Sequence, residues 1–236
     1  MQAHIVLAHP EPLSLHAHLA GLARRTLEAK GWQVTSADLH AMGFDPLEGL
    51  RHHASRSAPG RFDAQAEQRH APREGTIPTV VAAEIERLDS ADLLILRYPM
   101  WWRLPPAVLK GWIDRVFVYG AVHASHASGK RFEAGHLVDK RAMLSVTVGT
   151  SAGTCAHDGR SGDLDLLLWP VSFSLAYVDH EVLAPFVACG VEAGLRCSEP
   201  GAIEVRLRRI EEDWTRALDA ISHRCRMALT HHEPLY

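Results

Sequence analysis

Strand-like and helix-like segments alternate along almost the whole chain, and this alternation limits the possible folds more than any other feature. Strands are predicted at residues 5–8, 32–39, 92–97, 141–148 and 181–187. Helical spacing of apolar side chains marks residues 15–30, 79–88, 107–119, 163–177 and 203–227. The pattern therefore predicts an α/β protein, with a parallel sheet covered by helices on both faces.

Five strands joined by right-handed crossovers favour a doubly wound, flavodoxin-like sheet with the strand order 2-1-3-4-5. The 236 residues contain no internal repeat and no Pro/Ser-rich linker, so we expect one domain over residues 1–236. Long loops are expected at residues 43–77, which are polar and aperiodic, and at residues 121–139. Pro170 predicts a kink or break in its helix, and residues after about 230 are expected to form a mobile tail.

Composition and charge exclude several classes of protein. The net charge is −3 and no run of Lys or Arg forms a stripe, which argues against nucleic-acid binding. No apolar run approaches the roughly 20 residues of a membrane span, and the N-terminus lacks the basic segment of a signal peptide. We therefore expect a cytoplasmic protein. Its four cysteines lack Cys-x-x-Cys spacing and are expected to be reduced thiols.

The chain has 16 histidines, most of them in predicted loops. No His-Glu-x-x-His pair stands on a predicted helix, so we expect no metal site and interpret most of these side chains as solvated. Two closely spaced pairs, His52 with His53 and His123 with His126, leave metal binding open as an alternative.

Two large indoles directly follow a predicted buried strand, in the sequence LLILRYPMWWRLPP at residues 93–106. The apolar run ends at Pro99, and Trp101 and Trp102 come next. Ligands of open α/β sheets bind at the carboxyl ends of strands, where a loop has little structural reason to hold two indoles. A flat conjugated ligand such as a flavin explains them. The alternative is that one indole packs against the following helix while the other is exposed.

Three loops are expected to lie side by side at the carboxyl edge of the sheet, at residues 9–16, 99–103 and 147–155. The third is rich in small residues, so its backbone can approach the polar edge of an isoalloxazine ring closely. A flexible surface loop is the alternative interpretation of that segment. The chain contains neither a Gly-x-Gly-x-x-Gly motif after the first strand nor a Walker A motif, which argues against a Rossmann dinucleotide site and a P-loop hydrolase.

The first of these loops leads into a helix N-terminus, where free N–H groups attract anions. Ser14 and the backbone of Leu15, His16 and Ala17 are expected to hold a phosphate or diphosphate, with further hydrogen bonds from His9 and His16. The alternative is that Ser14 simply caps the helix, because a cap and a phosphate site use the same N–H groups.

These segments resemble the NAD(P)H:quinone oxidoreductases of the DT-diaphorase type, which have a flavodoxin-like fold. The resemblance covers nearly the whole chain, and its most specific parts are the Pro-x-Trp-Trp loop and the block LKGWIDRVF. The segments that carry it are IVLAHPE at residues 5–11 with Ser14, GW at 31–32, FDP at 44–46, ADL at 91–93, YPMWW at 98–102, LKGWIDRVF at 109–117 and LWP at 168–170.

The resemblance implies an FAD enzyme, with FMN the less favoured flavin. Hydride passes from NAD(P)H to the flavin, and a quinone or similar aromatic acceptor takes the electrons in a second half-reaction. It also implies a homodimer with the flavin site at the subunit interface. The implied cofactor-binding residues are His9, Ser14, Leu15, His16, Ala17, Pro99, Met100, Trp101, Trp102, Arg103, Thr147, Val148, Gly149, Thr150 and, toward the adenine, Arg206 or Arg208.

The chain departs from the family pattern at three places. His16 stands where the family commonly has Asn, and TVGT at residues 147–150 replaces Thr-Thr-Gly-Gly. In well-studied members a Tyr and a His stabilise charge on the reduced flavin, and a gap-free alignment puts Cys155 and Ser161 at their positions. Cys155, Ser161 and the nearby His157 are the candidates for the catalytic role. Without such a pair the charge depends on backbone N–H groups.

Two other functions stay open at this point. The loss of the Tyr and His favours a flavin-binding regulatory subunit of a transport system, because some relatives accompany potassium efflux systems. Ser151, in the sequence GTSAG, provides a weaker hydrolase alternative. Its motif leads into a loop rather than a helix, and no convincing His/Asp pair accompanies it.

Overall fold

The computed structural model describes residues 1–123, 137–191, 200–227 and 229. Five parallel strands form one sheet in the order β2-β1-β3-β4-β5, which confirms the predicted topology. The strands are β1 (Gln2–Leu7), β2 (Gln33–Asp38), β3 (Leu93–Pro99), β4 (Arg141–Val148) and β5 (Glu181–Cys189). Six α-helices lie in the described residues: α1 (Leu15–Ala29), α2 (Ala64–Glu74), α3 (Thr79–Ser90), α4 (Ala107–Val116), α5 (Leu164–Tyr177) and α6 (Pro200–Asp219).

Two separate apolar clusters bury the two faces of the sheet. In β3, which is buried along its whole length, Leu94, Leu96 and Tyr98 face the cluster covered by α3, α4 and α5. Leu93 and Ile95 face the other cluster, which α1 and α6 cover. Because helices cover both faces, the central strand is a continuous apolar run rather than an alternating one.

Residues 43–77 are mostly loop, as the sequence predicts, but they also contain α2, which the sequence did not reveal. The carboxylate of Asp63 accepts a hydrogen bond of 3.0 Å from a backbone N–H of the first turn and so caps the helix. The helix ends at Gly75, whose φ of 66° is a left-handed conformation that glycine adopts easily. Asp63 and Gly75 are therefore the sequence features that could have revealed it.

The buried face of α2 explains why its periodicity was missed. Its two buried residues are Glu67 and Ala71. The carboxylate of Glu67 is paired with Arg56 at 3.0 Å instead of packing among apolar side chains. A helix held by a buried ion pair has no apolar stripe from which its period can be recognised.

The last helix is shorter than the predicted range of 203–227, because α6 ends at Asp219 and the chain then turns. Arg226 forms an antiparallel bridge with Leu183, and the Arg224 side chain donates to two carbonyls of β5 at 2.6 and 2.7 Å. The segment after α6 thus covers β5, which lies at the edge of the sheet and would otherwise expose unpaired backbone groups. Tertiary contacts of this kind leave no periodic trace in the sequence.

Helix α5 continues through Pro170, so the proline does not break it. Helix α5 is apolar on most of its circumference, but its 14 residues are too few to span a membrane. Within the described ranges no helix is both long and apolar enough to do so. The predicted tail after residue 230 and most of the loop at 121–139, including His126, lie outside the described residues.

Helix α4 packs so tightly against the 43–77 segment at Gly111 that a side chain does not fit. A Cβ atom at this position falls well inside van der Waals contact with the backbone of Pro46. Because backbone atoms cannot swing aside, Gly111→Ala is expected to lower the free energy of unfolding by about 1–3 kcal/mol, measured by urea denaturation.

Gly21→Ala is the matched control on α1. Its Cβ meets only the flexible end of the Arg25 side chain, at 3.4 Å, and alanine has the higher helix propensity. This variant is expected to be as stable as the wild type or up to about 1 kcal/mol more stable. If the wild type and Gly111→Ala have equal urea midpoints, α4 does not pack against the backbone of Pro46 as closely as described.

Candidate active site

The structure brings together the three loops that the sequence places at the carboxyl edge of the sheet. His16 Nε2 lies 2.8 Å from Thr147 Oγ1 and so joins the first loop to the third. The rings of His9 and Trp101 are 6.1 Å apart, which joins the first loop to the second. The N–H of Met100 donates to the carbonyl of Thr147 at 2.9 Å. The loops meet because β1, β3 and β4 are adjacent parallel strands.

An open cleft of about 250 Å³ lies between the second and third loops. Its walls combine apolar and aromatic side chains with hydroxyl and thiol groups and small backbone segments. The lining residues are Met100, Trp102, Arg103, Val148, Gly149, Thr150, Cys155, Ser161 and Leu167. All of these except Leu167 are candidates from the sequence for cofactor binding or catalysis.

The second loop is a tight turn that presents Trp102 to solvent. Trp101 and Leu104 exchange two backbone hydrogen bonds of 3.0 Å, and the central residues Trp102 and Arg103 have φ angles of 50° and 65°. Left-handed backbone at two successive non-glycine residues costs about 1–2 kcal/mol for each. Trp102 is 97% exposed and Trp101 is also exposed, so the alternative in which one indole is buried is wrong. Strain and exposure together point to a functional turn.

The first loop contains the predicted N-cap. Ser14 Oγ accepts a hydrogen bond of 3.2 Å from the N–H of Ala17 at the start of α1. This bond engages the N–H of Ala17, which was a candidate for phosphate binding. The N–H groups of Leu15 and His16 belong to the same first turn and have no intrahelical acceptor. Capping and anion binding are therefore compatible at this helix end.

The two histidines of the first loop are stacked and neutral. Their rings are 5.1 Å apart and inclined by 13°. Burial, together with the charges of Arg97 and His9, lowers the pKa of His16 to about 2. Burial also lowers the pKa of His9. At neutral pH this loop therefore carries no histidine charge.

Two of the three candidate catalytic residues line the cleft, and the third does not. Cys155 is buried, with its Sγ 2.9 Å from Thr150 Oγ1, and Ser161 lies on the same wall. His157 is exposed and its Nδ1 lies 2.9 Å from a carboxylate oxygen of Asp163, the residue that caps α5. His157 is thus engaged at a helix end rather than in the cleft.

Arg206 lies on the same edge of the molecule as the third loop. Its guanidinium donates to the carbonyl of Gly190 just after β5, at 2.8 Å. The N–H of Gly190 in turn donates to the carbonyl of Thr150, also at 2.8 Å. A role of Arg206 toward the distal end of a dinucleotide is compatible with this position and remains a prediction.

The hydrolase alternative finds no support in the structure. The hydroxyl of Ser151 is exposed and faces that of Thr154 at 3.5 Å. A serine nucleophile requires a base within hydrogen-bond reach, and no histidine in the described part of the chain bonds to Ser151 Oγ.

The histidine pairs considered for metal binding are engaged with carboxylates or aromatic rings. His52 Nε2 lies 3.1 Å from Asp45, and His53 Nε2 lies 2.9 Å from Glu48. His123 packs edge-on against aromatic rings, and His126 is outside the described residues. Within the described ranges no group of three or more His, Cys, Asp or Glu side chains is arranged to hold a metal ion.

Comparison with known proteins identifies the family. The profile of the family described as having a flavodoxin-like fold matches residues 1–212. NAD(P)H dehydrogenase [quinone] 1 of Cavia porcellus is 34% identical over 192 residues, which is 80% of this chain and 69% of that protein. This chain belongs to the NAD(P)H dehydrogenase (quinone) family. The resemblance inferred from its motifs is thereby confirmed.

Two further relatives show how far the family likeness extends. Human ribosyldihydronicotinamide dehydrogenase [quinone] is 32% identical over 212 residues, which is 89% of this chain and 90% of that protein. The crystal structure of a Klebsiella pneumoniae protein assigned as a quinone reductase superimposes with a TM-score of 0.88. It is 29% identical, and the match covers 98% of this chain and 88% of the other.

The buried histidine of the first loop predicts a pH dependence of stability. In the folded protein His16 titrates near 2, whereas in the unfolded chain it titrates near its ordinary value of 6.5. Below pH 6.5 the unfolded state binds more protons, so stability falls by up to about 1.4 kcal/mol per pH unit. His16→Asn removes this titration and is expected to reduce the loss of stability between pH 7.5 and 5.5 in urea denaturation.

The control for this experiment is His223→Asn, which removes an exposed histidine. Its stability is expected to depend on pH as that of the wild type does. If His16→Asn and the wild type lose the same free energy of unfolding over this range, His16 is not held neutral by burial.

Proposed function

We propose that the protein is an FAD-dependent NAD(P)H:quinone oxidoreductase that reduces a quinone or similar aromatic acceptor by two electrons. One observation carries the proposal. The cleft at the carboxyl edge of the sheet is flanked by a strained turn with an exposed indole, in a chain 34% identical to an NAD(P)H dehydrogenase [quinone].

The residues of the cleft and the first loop fit a flavin nucleotide. Met100 and Trp102 offer apolar and aromatic surface to a planar ring, and the backbone near Gly149 offers polar groups to its edge. The first turn of α1 offers N–H groups to a phosphate. In the same turn, the buried Nδ1 of His16 has no hydrogen-bond partner among the described residues. Such unmatched polar atoms in a crevice are expected where a ligand completes the site.

When bound, the flavin supplies the redox chemistry, by taking up a hydride equivalent from NAD(P)H and passing it to the acceptor. The protein provides position, exclusion of water and stabilisation of charge. Trp102 lines the cleft, and the strained turn holds its indole at the surface. The Thr150 hydroxyl, the Cys155 thiol and the Ser161 hydroxyl are the neutral donors on the wall where family members have Tyr and His.

These donors also bear on the regulatory-subunit alternative, which rests on the missing Tyr and His. A single well-placed donor can contribute about 100- to 1,000-fold to the rate of a reaction that develops negative charge. The wall retains hydroxyl and thiol groups for that purpose. The two curated relatives compared above are named as dehydrogenases rather than as transport subunits. A regulatory role is therefore not favoured.

We further propose that the protein is a homodimer with the flavin site at the subunit interface. Helix α5 exposes large apolar side chains on the side away from the core. Leu166 is 67% exposed, and the partly exposed Trp169 stacks on Phe173 with ring centroids 4.5 Å apart. Large apolar surfaces on a soluble chain mark interaction sites. A second copy is the expected occupant, because Leu167 of the same helix lines the cleft.

We place the protein in the cytoplasm. Cys155, Cys189 and Cys225 are unpaired thiols, which suits a reducing compartment. Cys197 lies outside the described residues.

The proposed activity is tested on the purified full-length chain. The preparation is expected to be yellow, and mass spectrometry of the cofactor released by heat is expected to identify FAD. Oxidation of NADH or NADPH, followed at 340 nm, is expected to depend on added benzoquinone. A flavin-loaded protein without acceptor-dependent turnover would contradict the enzyme, and a colourless protein that binds no added FAD would contradict the cofactor.

Trp102→Ala tests the role of the exposed indole within the same experiment. The variant is expected to fold normally and to retain several-fold less flavin, because the planar ring loses its aromatic cover. Leu47→Ala, which truncates an exposed apolar side chain away from the cleft, is expected to retain flavin as the wild type does. Unchanged flavin occupancy in Trp102→Ala would assign the turn to another purpose.

The dimer is tested by introducing a charge on α5. Leu166→Glu is expected to shift the protein from dimer to monomer in size-exclusion chromatography with light scattering, and to lower its flavin content, because a buried unpaired carboxylate opposes association. Val205→Glu is the matched control, since Val205 is 66% exposed on α6. A wild type that elutes as a monomer with full flavin content would contradict the shared site.

A further inference from the structure

Arg97 on β3 is fully buried and only partly hydrogen-bonded. Its Nη1 donates to Ser145 Oγ at 2.6 Å, whereas Nε and Nη2 have no hydrogen-bond partner. No carboxylate in the described part of the chain pairs with it. Arg97 was not among the predicted site residues, although it is the one charged residue in the apolar run LLILRYP.

An unpaired buried guanidinium destabilises the protein in which it lies. Burial lowers the pKa of Arg97 to about 9, which still leaves the group charged at neutral pH. The indole of Trp214 lies 5.8 Å from the guanidinium carbon and offers a weak cation–π contact. Neither this contact nor one serine hydroxyl replaces an ionic partner. The described residues therefore provide no counter-charge for Arg97.

The position of Arg97 indicates where that counter-charge belongs. Leu93 and Ile95 of β3 lie on the sheet face that α1 and α6 cover. Arg97 is the next residue of β3 on this face, closer to the carboxyl edge. Ser145 lies beside Arg97 on the neighbouring strand β4. Two residues further along β4, Thr147 contacts His16. This polar column leads from the guanidinium to the first turn of α1.

The charge of Arg97 acts on the first loop. It contributes to lowering the pKa of both His9 and His16, which are themselves neutral at pH 7. The acidic side chain of this loop, Glu11, is exposed and its Oε1 accepts from the N–H of Leu13 at 2.9 Å. The N-terminus of α1 adds partial positive charge of its own. The base of the loop is thus a positive region for which the described residues provide no anion.

We propose that Arg97 is the counter-charge for the phosphate groups of the bound flavin nucleotide, which it stabilises through space from beneath the first turn of α1. The inference rests on the proposed function and deepens it, because it assigns cofactor selection to a buried residue. A flavin that carries phosphate gains from Arg97, and riboflavin does not. The effect is strong because the interior is poorly screened by water and salt.

The proposal predicts opposite effects on the free and the loaded protein. Without cofactor, Arg97→Met removes an unpaired buried charge and is expected to raise the melting temperature. With cofactor, the same variant lacks the counter-charge, and its Kd for FAD is expected to rise at least about tenfold. Its Kd for riboflavin is expected to stay within about twofold of the wild-type value, because riboflavin has no phosphate. If Arg97 had only a structural role, its replacement would change the Kd values for FAD and riboflavin to the same extent.

The experiment measures the binding of FAD and of riboflavin by flavin fluorescence and the melting of the cofactor-free protein, for the wild type and three variants. Arg97→Met and Arg97→Gln are neutral, and Arg97→Gln keeps a donor for Ser145. Arg97→Lys keeps the charge and is expected to restore most of the preference for FAD over riboflavin.

Each alternative outcome has a defined meaning. Equal losses of FAD and riboflavin binding in the neutral variants would overturn the proposal, as would unfolding of both neutral variants in the cofactor-free state. FAD binding by the neutral variants at the wild-type Kd would also overturn it, while leaving the proposed function intact. A wild type that binds neither flavin would overturn the proposed function itself.

Discussion

The parallel pairing of β3 between β1 and β4 is the constraint on which the site depends. Parallel strands end at the same edge, so three loops that are far apart in sequence are brought into contact with one another. The bond between His16 and Thr147 spans 131 residues of chain and shows this directly. Two apolar clusters hold the strands in that order from opposite faces. The cleft is therefore a product of sheet topology rather than of any single motif.

Toward the carboxyl edge of the sheet this apolar interior becomes polar, but its buried charge and polar atoms are not all paired. The column of Arg97, Ser145, Thr147 and His16 contains a fully buried cation and unmatched ring and guanidinium nitrogens. The turn at Trp102 holds strained backbone and an exposed indole in the same region. Native proteins retain such departures from local stability where function requires them. Strain, exposure and unmatched charge converge on one edge of the sheet, which is why the two proposals share it.

Local patterns predicted most of the fold and failed where stability comes from distant partners. The strands were recognisable because their apolar runs are short and bounded by turn residues. Helix α2 was missed because Glu67 satisfies its buried position by an ion pair with Arg56. The end of α6 was misplaced because the following segment binds the backbone of β5. In both cases an interaction between separate segments replaced the apolar period that sequence reasoning requires.

The sequence by itself determined the strand order, the three loops of the site, the N-cap at Ser14 and the family, because these depend on local periodicity, capping and short motifs. Only the tertiary structure decided which candidates share the cleft. Cys155 and Ser161 line it, whereas His157 is held by Asp163 at the start of α5. Only the tertiary structure showed that Arg97 has no ionic partner among the residues that it describes. The physical reason is that burial and pairing are properties of neighbours in space, and these neighbours are separated by tens of residues along the chain.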